Sequence, residues 1–177
     1  MKTKILPGRD FEKKRLTLYA ILNIGIIGLL IIYSIFTLKK GIGLYTLLLV
    51  LILVLISCLL LLFEFIIYIP QTGANLKNIS IGSGLLLSLT ILTYANLYYL
   101  IYRIKGEKAF SFTGENLSGD DFLYYSITTF TTTGYGDITS IGIFSNALAA
   151  SEMLIGMITN SILMAVITAK LVKKLQN

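Results

Sequence analysis

Four long apolar stretches constrain this chain more than anything else in it. Leu16 to Leu38 runs for 23 residues without a charge, and Leu44 to Ile69 is almost unbroken Leu, Ile, Val and Phe, with Glu64 near its end. A third stretch extends from about Ile81 to Tyr102 and a fourth from near Ile143 to about Lys170. At ~1.5 Å per helical residue each is long enough for the ~30 Å hydrocarbon core of a bilayer. Only 14% of the 177 residues are charged, against roughly 25% in a soluble domain, and mean hydropathy is +0.81. The expected class is an all-α integral membrane protein with four spanning helices. With no His, no Trp and one Cys, a His general base, a Cys/His zinc site and an intrachain disulfide are excluded by inventory. An enzyme is not expected.

The net charge of +6 does not imply nucleic acid, because the basic residues sit in clusters beside apolar runs rather than along one polar face. They read as membrane flanks. Lys2, Lys4, Arg9, Lys13, Lys14 and Arg15 precede the first run, which ends at Lys39-Lys40 rather than at a small-residue cleavage site, so a retained helix is expected. Pro70 to Gly73 breaks the chain after the second run. Four spans place both termini on one side. That side collects ten of the fifteen basic residues, including Lys77, Lys170, Lys173 and Lys174, so a multi-pass cell-membrane protein with cytoplasmic N- and C-termini is expected. The basic N-terminal stretch reads as a positive-inside flank or as an interfacial helix on anionic lipid.

The roughly forty residues between the third and fourth runs need a separate account. Gly106 to Gly119 reads as loop. Asp120-Asp121 then stand before Phe122 to Ile127, an acidic start to a helix of about ten residues that is too short to cross a membrane. Thr128 to Asp137 follows, dense in hydroxyls, with Gly134 and Gly136 two apart. Non-helical backbone at membrane depth survives only where protein, water or an ion satisfies it. If successive carbonyls are to face one axis, alternate residues take left-handed dihedrals, and Gly134 and Gly136 supply them without a Cβ penalty. Rings of such carbonyls replace the hydration shell of K⁺.

Thr132-Thr133-Gly134-Tyr135-Gly136-Asp137, preceded by Tyr124 to Thr129, resembles the filter and pore helix of potassium channels, prokaryotic type, with two additional N-terminal helices. The resemblance covers roughly residues 85 to 172. It implies a re-entrant pore helix, passive K⁺ conduction and a homotetramer, since one filter segment per chain cannot surround an axis. It also implies that the carbonyls of Thr132, Thr133, Gly134 and Tyr135, with the Thr132 hydroxyl, hold K⁺. Tyr135 would brace the filter against the pore helix. Thr133 stands where Val or Ile is usual, and Thr128 where some members carry a carboxylate that pairs with the Asp after the filter. The expected domains are a basic segment at 1–15, a two-helix region at 16–78 and a helix-pore-helix unit at 79–177.

Asp137 is expected to gather cations and anchor the outer turn. Asp120 and Asp121 are expected to cap the pore helix. Glu152, about ten residues into the last run, reads as a buried strut bonded to pore-helix hydroxyls or as a lining charge. Gly156 reads as a hinge of the inner helix or as a close-packing glycine. Met157, Asn160, Met164 and Thr168 recur at helical spacing and could line a cavity, Asn160 as the polar member. No series of basic residues lies inside a span, so charge-driven voltage gating is not expected; seven residues follow Lys170, so a regulatory domain would come from a separate subunit. Three alternatives stand beside the channel: a weakly selective pore of the same fold, a potassium-transporter subunit, and an intramembrane scaffold or enzyme using Glu64 and Glu152 as a carboxylate pair.

Overall fold

The computed structural model describes residues 8–35, 42–68, 76–114 and 116–176. Lys2, Lys4, the Lys39-Lys40 flank, the Pro70 to Gly73 break and Glu115 lie outside the described residues. The elements are α1 (Gly8–Ile35), α2 (Ile42–Tyr68), α3 (Leu76–Lys105), a single 3-10 turn (Gly106–Lys108), β1 (Phe110–Phe112), α4 (Gly119–Phe130), β2 (Ile138–Ser140) and α5 (Ile143–Leu175). Helices α1, α2, α3 and α5 are long and apolar enough to cross a membrane. Helix α1 begins at Gly8, so the basic residues from Arg9 to Arg15 belong to the same helix as the apolar run.

Helix α3 is the hub: 72% of its most apolar stretch is buried within the chain, against 22% for each of the other three. Helix α2 shows why the difference arises. Leu44, Leu51, Leu55, Cys58, Leu62 and Ile66 follow one another at multiples of helical spacing and turn inward, while Leu49, Leu53, Ile56, Leu60, Phe63 and Ile67 face outward. An apolar outward face is what a helix bordering lipid presents.

Because α3 is buried, its polar side chains must find partners within the protein. Thr90 and Thr93 donate to the carbonyls of Leu86 and Leu89 at 2.9 and 2.7 Å. Asn23 of α1 donates to the Leu85 carbonyl at 2.9 Å, and Gly82 lets α3 approach α2 so closely that a Cβ there would lie 2.9 Å from the Phe65 ring.

Two clusters lie at opposite ends. One joins Tyr19, Leu62, Ile66, Ile79, Leu86 and Leu163. The other joins Leu30, Leu44, the stretch of α3 around Tyr98, Phe110, Phe122, Tyr125 and Ala149. The first holds the early part of α1 and the late part of α5, so the two ends of the described chain share one end of the bundle. There Arg15 pairs with Glu64 at 2.6 Å.

The loop expected from Gly106 to Gly119 requires a correction. It contains the 3-10 turn and β1, which pairs antiparallel with β2 in the register Phe110 to Ser140, Ser111 to Thr139 and Phe112 to Ile138. Three-residue strands show no usable periodicity, and their partners are 26 to 30 residues apart in sequence. The all-α expectation holds apart from this ribbon.

Candidate functional site

The ribbon closes residues 113 to 137 into a loop whose two ends lie side by side. Within it α4 leaves the ribbon and the segment after α4 returns. The start of α4 is made by Ser118, whose N–H donates to Asp121 Oδ2 at 2.8 Å and whose hydroxyl lies within reach of both Asp120 and Asp121. The Ser118 hydroxyl, then the backbone N–H groups of residues 120 and 121, hold the Asp120 carboxyl below its ordinary range. Aromatic rings clamp this end of α4 to α3 and β1: Tyr98 meets Tyr125 at 4.9 Å between centroids, and Phe110 meets Phe122 at 5.0 Å, both edge to face.

At its other end α4 tightens into a knot of hydrogen bonds. Thr131 N–H donates to Ile127 O and Thr132 N–H to Thr129 O, each at 3.0 Å. The Thr128 carbonyl accepts from both Thr133 N–H at 2.8 Å and Gly134 N–H at 3.2 Å. The Thr131 and Thr133 hydroxyls are 2.9 Å apart. Thr128 thus acts on the turn through its backbone carbonyl, while its buried hydroxyl donates to Tyr125 O.

Beyond this knot every second residue is left-handed, with φ of 58° at Thr132, 51° at Gly134 and 82° at Gly136. Gly134 and Gly136 take the dihedrals expected of them. Thr132 is the sole non-glycine residue with positive φ among those described, an arrangement that costs about 1–3 kcal/mol. Alternation of this kind turns successive carbonyls to the same side of the strand. Residues 131 to 137 are all exposed in the single chain, Tyr135 at 71%. The Tyr135 ring stacks on Tyr124, centroids 6.3 Å apart and planes within 4°. Asp137 lies against the same Tyr124, whose phenol it holds above the ordinary range by accepting its hydrogen.

Helix α5 passes beneath this assembly. Glu152, fully buried, accepts from Tyr98 O–H at 2.6 Å and lies 2.5 Å from Ser126 Oγ. One turn later Gly156 is pressed against the end of α4, where a Cβ would stand 2.1 Å from the Phe130 carbonyl oxygen. Asn160 is half-buried further along, and Met157, Met164 and Thr168 are exposed on α5. Thr128, Thr132 to Asp137, Glu152 and Gly156 therefore converge, while Asn160 lies below them. Glu64 belongs to the opposite end with Arg15, so it forms no pair with Glu152.

Tyr98 and the Thr128 carbonyl escaped the sequence reading, while Ser126 was singled out only as one of the pore-helix hydroxyls near Glu152. Tyr94, Tyr98 and Tyr102 recur every four residues in an apolar run; hydroxyls so placed require buried partners, and that was the available signal.

No curated protein and no solved structure matches the chain. A family profile described as "Ion channel" matches residues 85–173, which spans half the chain and contains the C-terminal part of α3, the ribbon, α4, the left-handed turn and nearly all of α5. The chain therefore belongs to the ion-channel family whose pore unit has two transmembrane helices.

Proposed function

We propose that the chain is the subunit of a potassium-selective channel that conducts K⁺ passively across the cell membrane. The observation that carries this reading is the left-handed alternation at Thr132, Gly134 and Gly136, the backbone pattern that would turn successive carbonyls to one side of an exposed strand. Four copies around an axis would turn that side inward and give K⁺ a ring of oxygens at each level. The carbonyls of Thr132, Thr133, Gly134 and Tyr135 are the ligands, with the Thr132 hydroxyl at the inner end. Helix α4 is the re-entrant pore helix, and the β1–β2 ribbon, which returns the chain to where it started, supports that reading. The negative C-terminal end of its dipole lies beside the Thr132 carbonyls, where a cation is stabilised.

Tyr135 and Asp137 lean on Tyr124 and brace the outer end. Thr128, Gly136, Glu152 and Gly156 support the filter from behind, and Asn160 is the polar member of the cavity below. Helices α1 and α2 form a two-helix region outside the pore unit, and the boundary expected at 78/79 falls inside α3, which begins at Leu76. The assembly is a homotetramer in lipid with cytoplasmic termini.

Flux into liposomes carrying the purified protein, compared under K⁺, Rb⁺ and Na⁺ gradients, tests the reading. K⁺ and Rb⁺ are expected to pass and Na⁺ to be excluded, with Gly134→Ala assembled but silent. Unchanged flux in Gly134→Ala would refute the assignment of the filter.

A further inference from the structure

The groups beneath α4 contain one hydrogen too few for an ionised carboxylate. Ser126 Oγ lies 2.8 Å from the Ile91 carbonyl and 2.5 Å from Glu152 Oε1, two acceptors for the single hydrogen a serine carries. The Tyr98 hydrogen is already committed to Glu152 Oε2. Among the described residues no cation lies against Glu152 to supply the deficit. The titratable groups facing Glu152 are the phenols of Tyr98 and Tyr94 on α3, with Tyr125 of α4 against Tyr98. Ser151, on α5 itself, is engaged with Tyr94. Leu30 of α1 and Leu44, Leu51 and Leu55 of α2 contribute only hydrocarbon to this end of the bundle. A bare carboxylate buried this deeply without a counter-charge is the arrangement proteins avoid most strongly.

A carboxylic acid closes the chain of donors. Glu152 O–H donates to Ser126 Oγ, Ser126 O–H donates to Ile91 O, and Tyr98 O–H donates to Glu152 Oε2. Each hydrogen then has one acceptor, and α3, α4 and α5 are joined at one point.

We infer that Glu152 is a neutral, protonated positioning residue, a crosspiece that sets where α4 sits and thereby where the Thr132 to Gly136 strand stands. Ser126 is two residues before Thr128, whose carbonyl holds the Thr133 and Gly134 N–H groups, so a displacement at Ser126 reaches the ion ligands within one helical turn. The role of the strand as filter rests on the proposed function; the proton on Glu152 does not.

The test uses the full-length protein in liposomes, as wild type, Glu152→Gln, Glu152→Leu and Tyr98→Phe. Infrared spectroscopy at neutral pH is expected to show a protonated-carboxyl C=O band in wild type, absent in Glu152→Gln and moved to higher frequency in Tyr98→Phe, which loses a donor to that group. Reversal potentials are expected to give Glu152→Gln the wild-type K⁺/Na⁺ permeability ratio, because an amide also donates to Ser126 and accepts from Tyr98. Glu152→Leu is expected to lower the ratio roughly fivefold or more, the scale of one buried hydrogen bond.

A missing band, or Glu152→Gln behaving like Glu152→Leu, would overturn the neutral acid. An unchanged ratio in Glu152→Leu would overturn the positioning role. If Glu152→Leu does not assemble, Tyr98→Phe carries that arm: a lowered ratio supports the role and an unchanged one overturns it. A wild type that does not prefer K⁺ over Na⁺ would sink the filter reading alone, and the infrared band would still decide the proton.

Discussion

Replacing Gly156 with Ala would place a methyl carbon 2.1 Å from the Phe130 carbonyl oxygen, 3.0 Å from its carbon and 3.2 Å from its Cα. All three are backbone atoms, so no side chain can rotate out of the way. Real Cβ contacts stay above 3.0 Å, and α5 must therefore retreat from α4 by about 0.9 Å. Interiors resist such shifts, and overpacking by one carbon costs about 1–3 kcal/mol. At about 2–4 °C per kcal/mol for a chain of this size, the melting point should fall by roughly 2–12 °C. The assay is thermal unfolding of the detergent-purified assembly, with Gly28→Ala as the control. Gly28 also lies within a helix, but its added Cβ meets nothing within 4 Å, so that change should leave stability level or raise it by up to about 1 kcal/mol. If Gly156→Ala melts with wild type, the contact with Phe130 is not as close as described, and the case for Gly156 as a packing residue rather than a hinge collapses.

Other outcomes follow from the same geometry. Thr132→Gly should relieve the left-handed strain, raising stability by about 1 kcal/mol, and, on the proposed filter reading, should lower K⁺ occupancy through loss of the inner hydroxyl; a melting curve and isothermal titration with K⁺ read the two effects separately, and a destabilised variant would contradict the strain. Arg15→Glu and Glu64→Arg should each weaken the bundle, by no more than about 1 kcal/mol for a pair this exposed, and the double exchange should recover most of it. Absence of coupling in that cycle would mean the pair is incidental.

Asp120 has a predictable pH dependence. Its carboxyl is held below the ordinary value by the Ser118 hydroxyl and by backbone N–H groups, so its contribution is fully present above the unfolded carboxylate value and is lost as pH falls through the lower folded one. Melting points of wild type and Asp120→Asn should therefore differ at neutral pH and converge in acid; a gap that persists in strong acid would contradict this.

The spanning helices and the Thr132 to Asp137 turn were legible because their signals are local: length without charge for the first, spaced glycines among hydroxyls for the second. Gly134 and Gly136 could be placed in left-handed backbone from sequence, whereas Thr132 could not, since no residue type announces that it will accept strain. The ribbon stayed hidden because Phe110 and Ser140 have nothing in common until the loop between them closes. Glu64 was visible as a charge near a helix end, but its partner Arg15 lies 49 residues away. Glu152 was visible as a buried carboxylate; its coordination by Tyr98 and Ser126 required knowing which faces of α3 and α4 meet.

Helix α5 is unevenly bonded along its length. Among the described residues, its hydrogen bonds to other elements fall between Gly142 and Glu152: Gly142 and Ser145 to Ala109, Ser151 to Tyr94, and Glu152 to Tyr98 and Ser126. Past Gly156 the contacts of Ile162, Leu163, Val166 and Ile167 are with aliphatic and aromatic neighbours. Directional bonds resist any displacement, whereas hydrocarbon surfaces slide past one another and exchange one contact for another of similar energy. Helix α5 is thus held stiffly near Gly142 to Glu152 and more compliantly past Gly156, like a tuning-fork tine clamped at its stem, and its thermal motion should grow with distance from the clamp.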